Sequence, residues 1–421
     1  VQEQSRYLSQ GAWVLVCSIV LGYAADYAFN LTLSQHLAAH QYGDYKVAYT
    51  LTTLASVLVL LGGDRLAPRI LSKYIADKDN SAVSCYLASY IKRALILSIL
   101  IIFLVWLLSY LHVIHFDAED HHALAIMIVA VPIIALGALL SRTLQSARLL
   151  AFSNLPWRVV LPALKTGAVL ILAQLYIDMS VELIIVTGII IVTVIVVWQI
   201  WLLFQKNIVT LTPVESDASQ HAFLKRSIPM MLAMLVTLML NQADILMLEW
   251  LAYEHSVGHF AAANTLVHII PVAQVTIASL FLPLLGKYLE SNYPQALALF
   301  KQARLITLII TVSVGLGLWL FSSTLLSLFG KGYLDAQTTM MILIPAYALN
   351  AFAALTATWL QYSGHGKQIV HFGLLALCIN VIANLLLIPK FGLTGAALAT
   401  ALSHCVECCC VNSLSLNKAE N

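Results

Sequence analysis

The chain has 421 residues, 61% of them hydrophobic and only 10% charged, with a mean hydropathy of +0.88. That balance excludes a water-soluble globule and places the polypeptide in a lipid bilayer as a polytopic protein. The net charge of +2 carries no basic surplus, and no nucleic-acid partner is expected.

Val1 to Gln10 form a polar, amphipathic lead, and Gly11 to about Leu33 the first apolar span. No small-residue cleavage site follows a short apolar core, so the segment is expected to be an uncleaved helix rather than a signal peptide. Five further spans are expected near 46–63, 94–114, 121–141, 156–176 and 181–204. Each is about long enough, at 1.5 Å per residue, to cross roughly 30 Å of hydrocarbon. A polar connector, Gln205 to Arg226, with Pro213, Glu215, Ser216, Asp217 and Ser219, precedes a second set near 228–251, 259–284, 304–328, 338–360, 368–389 and 393–412. The expectation is an all-α membrane protein of about twelve transmembrane helices, with six-helix lobes at 1–204 and 227–421 and a cytoplasmic linker at 205–226.

The halves echo one another. Gly43-Asp-Tyr-Lys-Val-Ala-Tyr-Thr-Leu51 and Gly258-His-Phe-Ala-Ala-Ala-Asn-Thr-Leu266 lie 215 residues apart and agree at four of nine positions. Pro68 and Pro283 share that offset, and Asp26 aligns with Asn241. Glycine, proline and intramembrane polar residues in one register indicate two related halves.

Basic residues set the orientation. A cytoplasmic amino terminus places eighteen of the 22 Lys and Arg inside, Lys46, Lys331 and Lys390 outside, and Lys165 within a helix. By the positive-inside rule both termini are then cytoplasmic, and two even-numbered halves are related by an axis along the membrane normal. The outer loops, such as His112 to Glu119, Tyr176 to Glu182 and Tyr253 to Gly258, leave no room for an outer catalytic domain. Neither a phosphate-binding glycine loop nor a His-Glu-x-x-His zinc motif is present, so neither an ATP motor nor a zinc protease is supported. In the connector Asp64 to Lys92, Arg65, Arg69 and Lys73 recur every four residues, as on a helix lying against anionic headgroups. Four of the seven cysteines crowd into Cys405, Cys408, Cys409 and Cys410 on an apolar terminal helix without a second ligand pair. Metal binding is not expected there.

The polar residues inside the spans are the candidates for function. Asp244, with Asn241 and Gln242, interrupts a run of Leu, Met, Ile and Ala. An acid at such depth costs roughly 2.5–3.5 kcal/mol or more and faces a bundle interior or a wet cavity. Tyr23, Asp26, Tyr27, Asn30 and Ser34 share one face of the first helix, and Asn264, His268 and Pro271 one face of the eighth. Arg158 and Lys165 are seven apart with Pro162 between them, two stacked cations suited to a phosphate or pyrophosphate headgroup. Asn350, Asn380 and Asn384 are of the kind that joins helices by hydrogen bonds.

Several of these stretches resemble a known family. Leu37-Ala-Ala-His-Gln-Tyr-Gly-Asp-Tyr45 running on to Asp64-Arg65-Leu-Ala-Pro-Arg69 resembles the start of the oligosaccharide flippases of the polysaccharide-synthesis family. Ser227-Ile-Pro229, Asp244-Ile-Leu-Met-Leu248 and Val257-Gly258-His-Phe-Ala-Ala-Ala263 are similar to that family's helix-seven signature. Pro389-Lys-Phe-Gly392-Leu-Thr-Gly395-Ala-Ala397 resembles its entry into a late helix. The resemblance implies membership of the multidrug and oligosaccharidyl-lipid exporters. It further implies a MATE-like fold of two pseudo-symmetric six-helix lobes, and alternating access for a lipid-linked oligosaccharide in a bacterial cytoplasmic (inner) membrane. Membrane lipids and other polysaccharide-assembly membrane proteins are the remaining expected partners.

A polyprenyl diphosphate carrying sugars needs a shielded polar route for its headgroup and cations for the diphosphate. Arg158 and Lys165, with Arg65 near the mouth, are assigned to the diphosphate, and Asn264 and His268 to further substrate contacts. Asp26 and Asp244, expected one in each lobe, with Asn241, are assigned to ion coupling by H+ or Na+; no other cofactor and no catalytic residue is expected. The competing readings are an ion-coupled exporter of small amphipathic cations, a membrane polysaccharide polymerase or ligase, and a flippase for peptidoglycan precursor.

Overall fold

The computed structural model describes residues 2–111, 122–175, 179–210, 217–252 and 255–419. All of the outer loop His112 to Glu119, and parts of the expected loops at Tyr176 and Tyr253, lie outside the described residues, as do Pro213, Glu215 and Ser216 of the linker. All described elements are helical. In chain order they are α1 (Gln2–His36), α2 (Ala39–Val59), α3 (Gly63–Ala76), α4 (Asn80–Tyr110), α5 (Ala123–Ser146), α6 (Leu150–Gln174), α7 (Val181–Gln205), α8 (Asp217–Leu251), α9 (His255–Val267), α10 (Ile269–Ser291), α11 (Tyr293–Leu320), α12 (Ser322–Phe329), α13 (Gln337–Leu360) and α14 (Gly366–Ala419). Polar side chains open several of them. Asp79 accepts from the Ala82 amide before α4, Ser180 from Leu183 before α7, and Asn292 from Gln295 before α11, each satisfying an amide that the helix leaves free.

Ten of these stretches are long and apolar enough to cross a membrane, or eleven if α2 and α3, bent by 46°, form one span. This agrees with the expected count of about twelve once the last stretch is divided at its break. The spans expected at 368–389 and 393–412 lie on either side of that break, within Gly366–Leu414. That stretch of 49 residues would measure about 74 Å as a straight helix. It is broken at Gly392, whose φ of 54° and ψ of −127° are not helical.

The chain forms two compact units, Val1–Gly43 with Met239–Asn421, and Asp44–Leu238. The boundaries differ from the sequence expectation of 1–204 and 227–421, because α1 and the first turn of α2 pack with the later helices. The Tyr23 hydroxyl donates to the carbonyls of Thr265 (3.0 Å) and Leu266 (3.3 Å). Gly43 and Gly258, matched by the 215-residue offset, pack directly on one another, a Cβ on Gly43 lying 3.0 Å from the Gly258 nitrogen. A Cβ on Gly258 would overlap the Ala39 carbonyl, so only glycine permits this approach.

The second unit has its own apolar core, in which Val59, Leu66, Leu71, Val83, Leu139 and Leu144 are fully buried. Its bend between α2 and α3 is made at Gly62, with φ +76°. The bend is fixed by Tyr86, whose hydroxyl donates to the Gly63 carbonyl at 2.7 Å, and by Ser227, which accepts from the Tyr90 hydroxyl and donates to the Leu61 carbonyl. In α3 the basic stripe divides. Arg65 is half-buried, whereas Arg69 and Lys73 are exposed.

A Cβ at residue 62 would overlap the Ser227 carbonyl and sit on a left-handed backbone. Gly62→Ala and Gly258→Ala are each expected to cost about 1–3 kcal/mol, measured as a lowered thermal-unfolding midpoint in detergent. Gly317→Ala, where nothing lies within 4 Å, should be neutral or slightly stabilising. Equal effects at all three positions would remove the close-packing argument.

Candidate functional site

The first unit holds five of the expected site residues, Asp26, Asn241, Asp244, Asn264 and His268, and the second holds Arg65, Arg158 and Lys165. Asp26 and Asp244, expected one in each lobe, therefore share a unit, because α1 packs with the later helices.

Asp244 is 4% exposed on α8. One carboxylate oxygen accepts from Asn384 Nδ2 at 2.7 Å and Asn380 Nδ2 at 3.1 Å; the other accepts from the Thr400 hydroxyl. Asn384 also donates to Asn380 Oδ1 at 3.0 Å. Both asparagines are fully buried. The helix break positions these donors. Asn384 and Thr400 are 16 residues apart in α14, about 24 Å along a straight helix, yet both touch one carboxylate, so α14 doubles back at Gly392. Burying a bare charge costs several kcal/mol, and hydrogen bonds to charged groups return about 1.5–3 kcal/mol each. Asn380 and Asn384, expected to join helices, do so through an acid. Neither their number nor their spacing signals that role, since the partner enters from another helix. Asn241 is half-buried three residues before Asp244.

A second group lies on α1. Asp26 is exposed and accepts from Asn30 Nδ2 at 3.0 Å, and Asn30 Oδ1 accepts from the Tyr42 hydroxyl at 3.1 Å. Tyr23 and Tyr27 stack beside them, with ring centroids 6.4 Å apart. Asn264 is buried and accepts from the Tyr347 hydroxyl at 2.7 Å. His268 is half-buried, with Nδ1 3.2 Å from the Asn264 carbonyl and its ring 5.3 Å from that of Tyr347.

The second unit holds the cations. Arg158 and Lys165 were expected to stack on one face, which requires an unbroken α-helical period. The turn Pro156–Val160 is instead π-helical, and the wider turn changes the facing of everything before it. Arg158 is exposed. Lys165 is half-buried, with its ammonium 3.4 Å from the Tyr45 hydroxyl and 5.7 Å above the Tyr49 ring, a cation–π contact. Its stem crosses Gly188, where a Cβ would lie 3.3 Å from Lys165 Cε. The π-turn is held by Trp157, which donates to Gln199 Oε1 at 3.2 Å; Gln199 in turn donates to the Ser141 hydroxyl at 2.9 Å. Arg65 pairs with Asp64 at 3.0 Å. Arg142, not singled out in the sequence as a site residue, donates to Gln145 Oε1 at 2.7 Å. Its position at the end of an apolar helix is the signal that could have found it.

Comparison with known proteins agrees with this architecture. In solved structures, an inward-facing multidrug resistance MATE family transporter of the MOP superfamily superposes with a TM-score of 0.78 at 16% identity, over 94% of this chain and 96% of that one. The lipid II flippase MurJ, in an inward closed conformation, gives 0.78 at 14% identity over 98% and 87%. Among curated proteins, the probable low-salt glycan biosynthesis flippase Agl15 of Haloferax volcanii is 22% identical over 166 residues, 39% of this chain and 35% of that protein. The chain spans about a third of the length of the curated relatives it matches. The model of the family described as polysaccharide biosynthesis protein matches residues 8–289. A multi-span helical membrane protein with a MATE-like fold, this chain belongs to the polysaccharide biosynthesis protein family.

Proposed function

We propose that the protein is a flippase that moves a polyprenyl-diphosphate-linked oligosaccharide from the cytoplasmic to the outer leaflet by alternating access, for assembly of an O-antigen-like surface polysaccharide. Its place in this reading is a bacterial inner membrane with both termini in the cytoplasm. The observation that carries the reading is Lys165, an ammonium within an apolar span, held by the Tyr45 hydroxyl and the Tyr49 ring. A cation costs energy at such depth and marks a path for an anion. Its hydroxyl and aromatic neighbours fix it in place. Arg158, Arg65 and Arg142 supply further positive charge in the same unit, and Asn264 and His268 offer polar contacts to sugars. The family match over 8–289 and the flippases among the similar proteins support the reading.

Directed movement needs a ligand that binds the two states unequally. Asp244 is the coupling group in this proposal, with Asn241 beside it and Asp26 as a second acid. Its three neutral donors serve the bare carboxylate, and a proton or Na+ at the same place would displace some of them.

A second reading, export of small amphipathic cations, is favoured by one observation: Asp26 is exposed beside the stacked Tyr23 and Tyr27, an acid with aromatic neighbours.

The reading is tested in proteoliposomes with a fluorescent polyprenyl-diphosphate oligosaccharide. Lys165→Ala should weaken its apparent affinity about 10- to 100-fold, the loss of one or two charge-assisted contacts. Movement of a cationic dye with no movement of lipid would overturn the flippase reading in favour of export. Asp244→Asn should leave downhill lipid movement in place and abolish its stimulation by an imposed H+ or Na+ gradient. An unchanged gradient response would remove Asp244 from the coupling role.

A further inference from the structure

The buried polar residues of the first unit continue past Asp244. His404 lies one turn beyond Thr400 on α14, on the same face, and is 2% exposed. Its Nδ1 is 3.0 Å from Asn350 Nδ2 on α13 and 3.7 Å from Glu407 Oε2, the next turn of its own helix. That Glu407 oxygen is buried and accepts no hydrogen bond, although the side chain as a whole is 19% exposed. The Tyr347 ring lies 5.7 Å from the imidazole, with its hydroxyl committed to Asn264 and its other edge towards His268. From α8, Asp244 reaches the same face through Thr400, whose hydroxyl donates to its carboxylate. Further along α14, Asn412 accepts from Arg304 of α11, which stacks on Phe352, and Cys408 lies beside Asn412. Among the described residues, neither Asp244 nor Glu407 forms an ion pair with a lysine or arginine. The imidazole lies between Glu407, one turn on, and Thr400, the partner of Asp244, one turn back.

The hydrogen bonds define what a proton would do here. Asn350 Nδ2 donates to Nδ1, so Nδ1 is the acceptor nitrogen and the ring carries its single proton on Nε2. A proton taken up at Nδ1 turns that acceptor into a donor. The bond from Asn350 Nδ2 is lost, and Glu407 Oε2 gains the partner it lacks after the two groups close by about 1 Å. The imidazolium then has attractive interactions with both acids, made strong by the low dielectric around them.

We infer that Asn350, His404 and Glu407 form a proton-binding site coupled to Asp244, in which uptake of a proton at His404 and neutralisation of Asp244 oppose one another. When Asp244 gives up its ion, the bare carboxylate favours a proton on His404. When the ion returns, the proton leaves by way of the partly exposed Glu407. The opposition is reciprocal by linkage. It extends the coupling role proposed for Asp244 and rests on that reading only for its consequence in transport.

The test uses the full chain, labelled with 15N-histidine, in lipid nanodiscs. His404 is identified among the thirteen histidines by the signal lost in His404→Gln. The ring is expected to titrate, and Glu407→Gln and Asp244→Asn should each weaken its proton affinity about tenfold, moving the midpoint towards acid by about one pH unit. Glu407 lies at a partly exposed edge, so its variant keeps the test in hand if Asp244→Asn does not fold. A ring that stays neutral from pH 4 to 9, or a midpoint unmoved in the variants, would overturn the site as structural. In proteoliposomes, the pH profile of gradient-driven lipid movement should shift towards acid in Glu407→Gln. Absence of lipid movement in every variant would count against the flippase reading alone, leaving the NMR titration to judge His404.

Discussion

A carboxyl group removed from water must find its hydrogen bonds inside the protein, and Asp244 imposes that demand at one point of one helix. Meeting it determines how the end of the chain is folded. Asn380 and Asn384 approach from one arm of α14 and Thr400 from the other. The three can converge only because Gly392 reverses the chain between them. Thr400 in turn sets the face on which His404 and Glu407 lie, and Tyr347 links that face to Asn264 on α9. The apolar contacts around this cluster are interchangeable in kind; the hydrogen bonds to the acid are not, since an unmatched donor or acceptor there costs about 1–3 kcal/mol.

The fold was legible where its cause is local. Apolar runs of some twenty residues report helices that cross hydrocarbon, and the expected spans near 181–204 and 338–360 correspond to α7 and α13 within a few residues. The pairing of Gly43 with Gly258 was visible as a repeat, because a close approach of backbones admits only glycine and leaves the same mark in both halves. What each helix packs against was not legible. A run such as Trp13 to His36 is apolar on most faces, so its pattern shows that it is surrounded without showing by what. Tyr23 reaches backbone carbonyls of α9, and carbonyls carry no sequence signal.

The candidate site was half legible for a related reason. Asp244 and Lys165 stand out because a charge in an apolar run is expensive wherever the run goes. Their partners are neutral groups that look ordinary in isolation: Thr400 resembles any helix threonine, and Tyr45 any interfacial tyrosine. The turn that carries Arg158 was not legible for a different reason. Helical arithmetic presumes 3.6 residues per turn, and Pro156 opens a wider turn that Trp157 and Gln199 hold in place.

The two units carry opposite chemistry. The described interior of the first is organised around Asp244, Asn380, Asn384 and His404, groups that favour a bound cation or proton, whereas the second gathers Arg65, Arg142, Arg158 and Lys165, groups that favour an anion. The chain passes between the units twice, once within α2 at Gly43 and once within α8 at Leu238. Those crossings are informative in opposite ways. In α2 the residues just past the boundary, Tyr45 and Tyr49, are the ones that hold Lys165, while in α8 the residues just past it lead within two turns to Asp244. The cation side of one unit and the acid side of the other are thus each built on a helix that begins in its neighbour. One helix, α8, therefore carries Asp244 in the first unit and Ser227 in the second, where Ser227 ties the bend before Asp64 and Arg65.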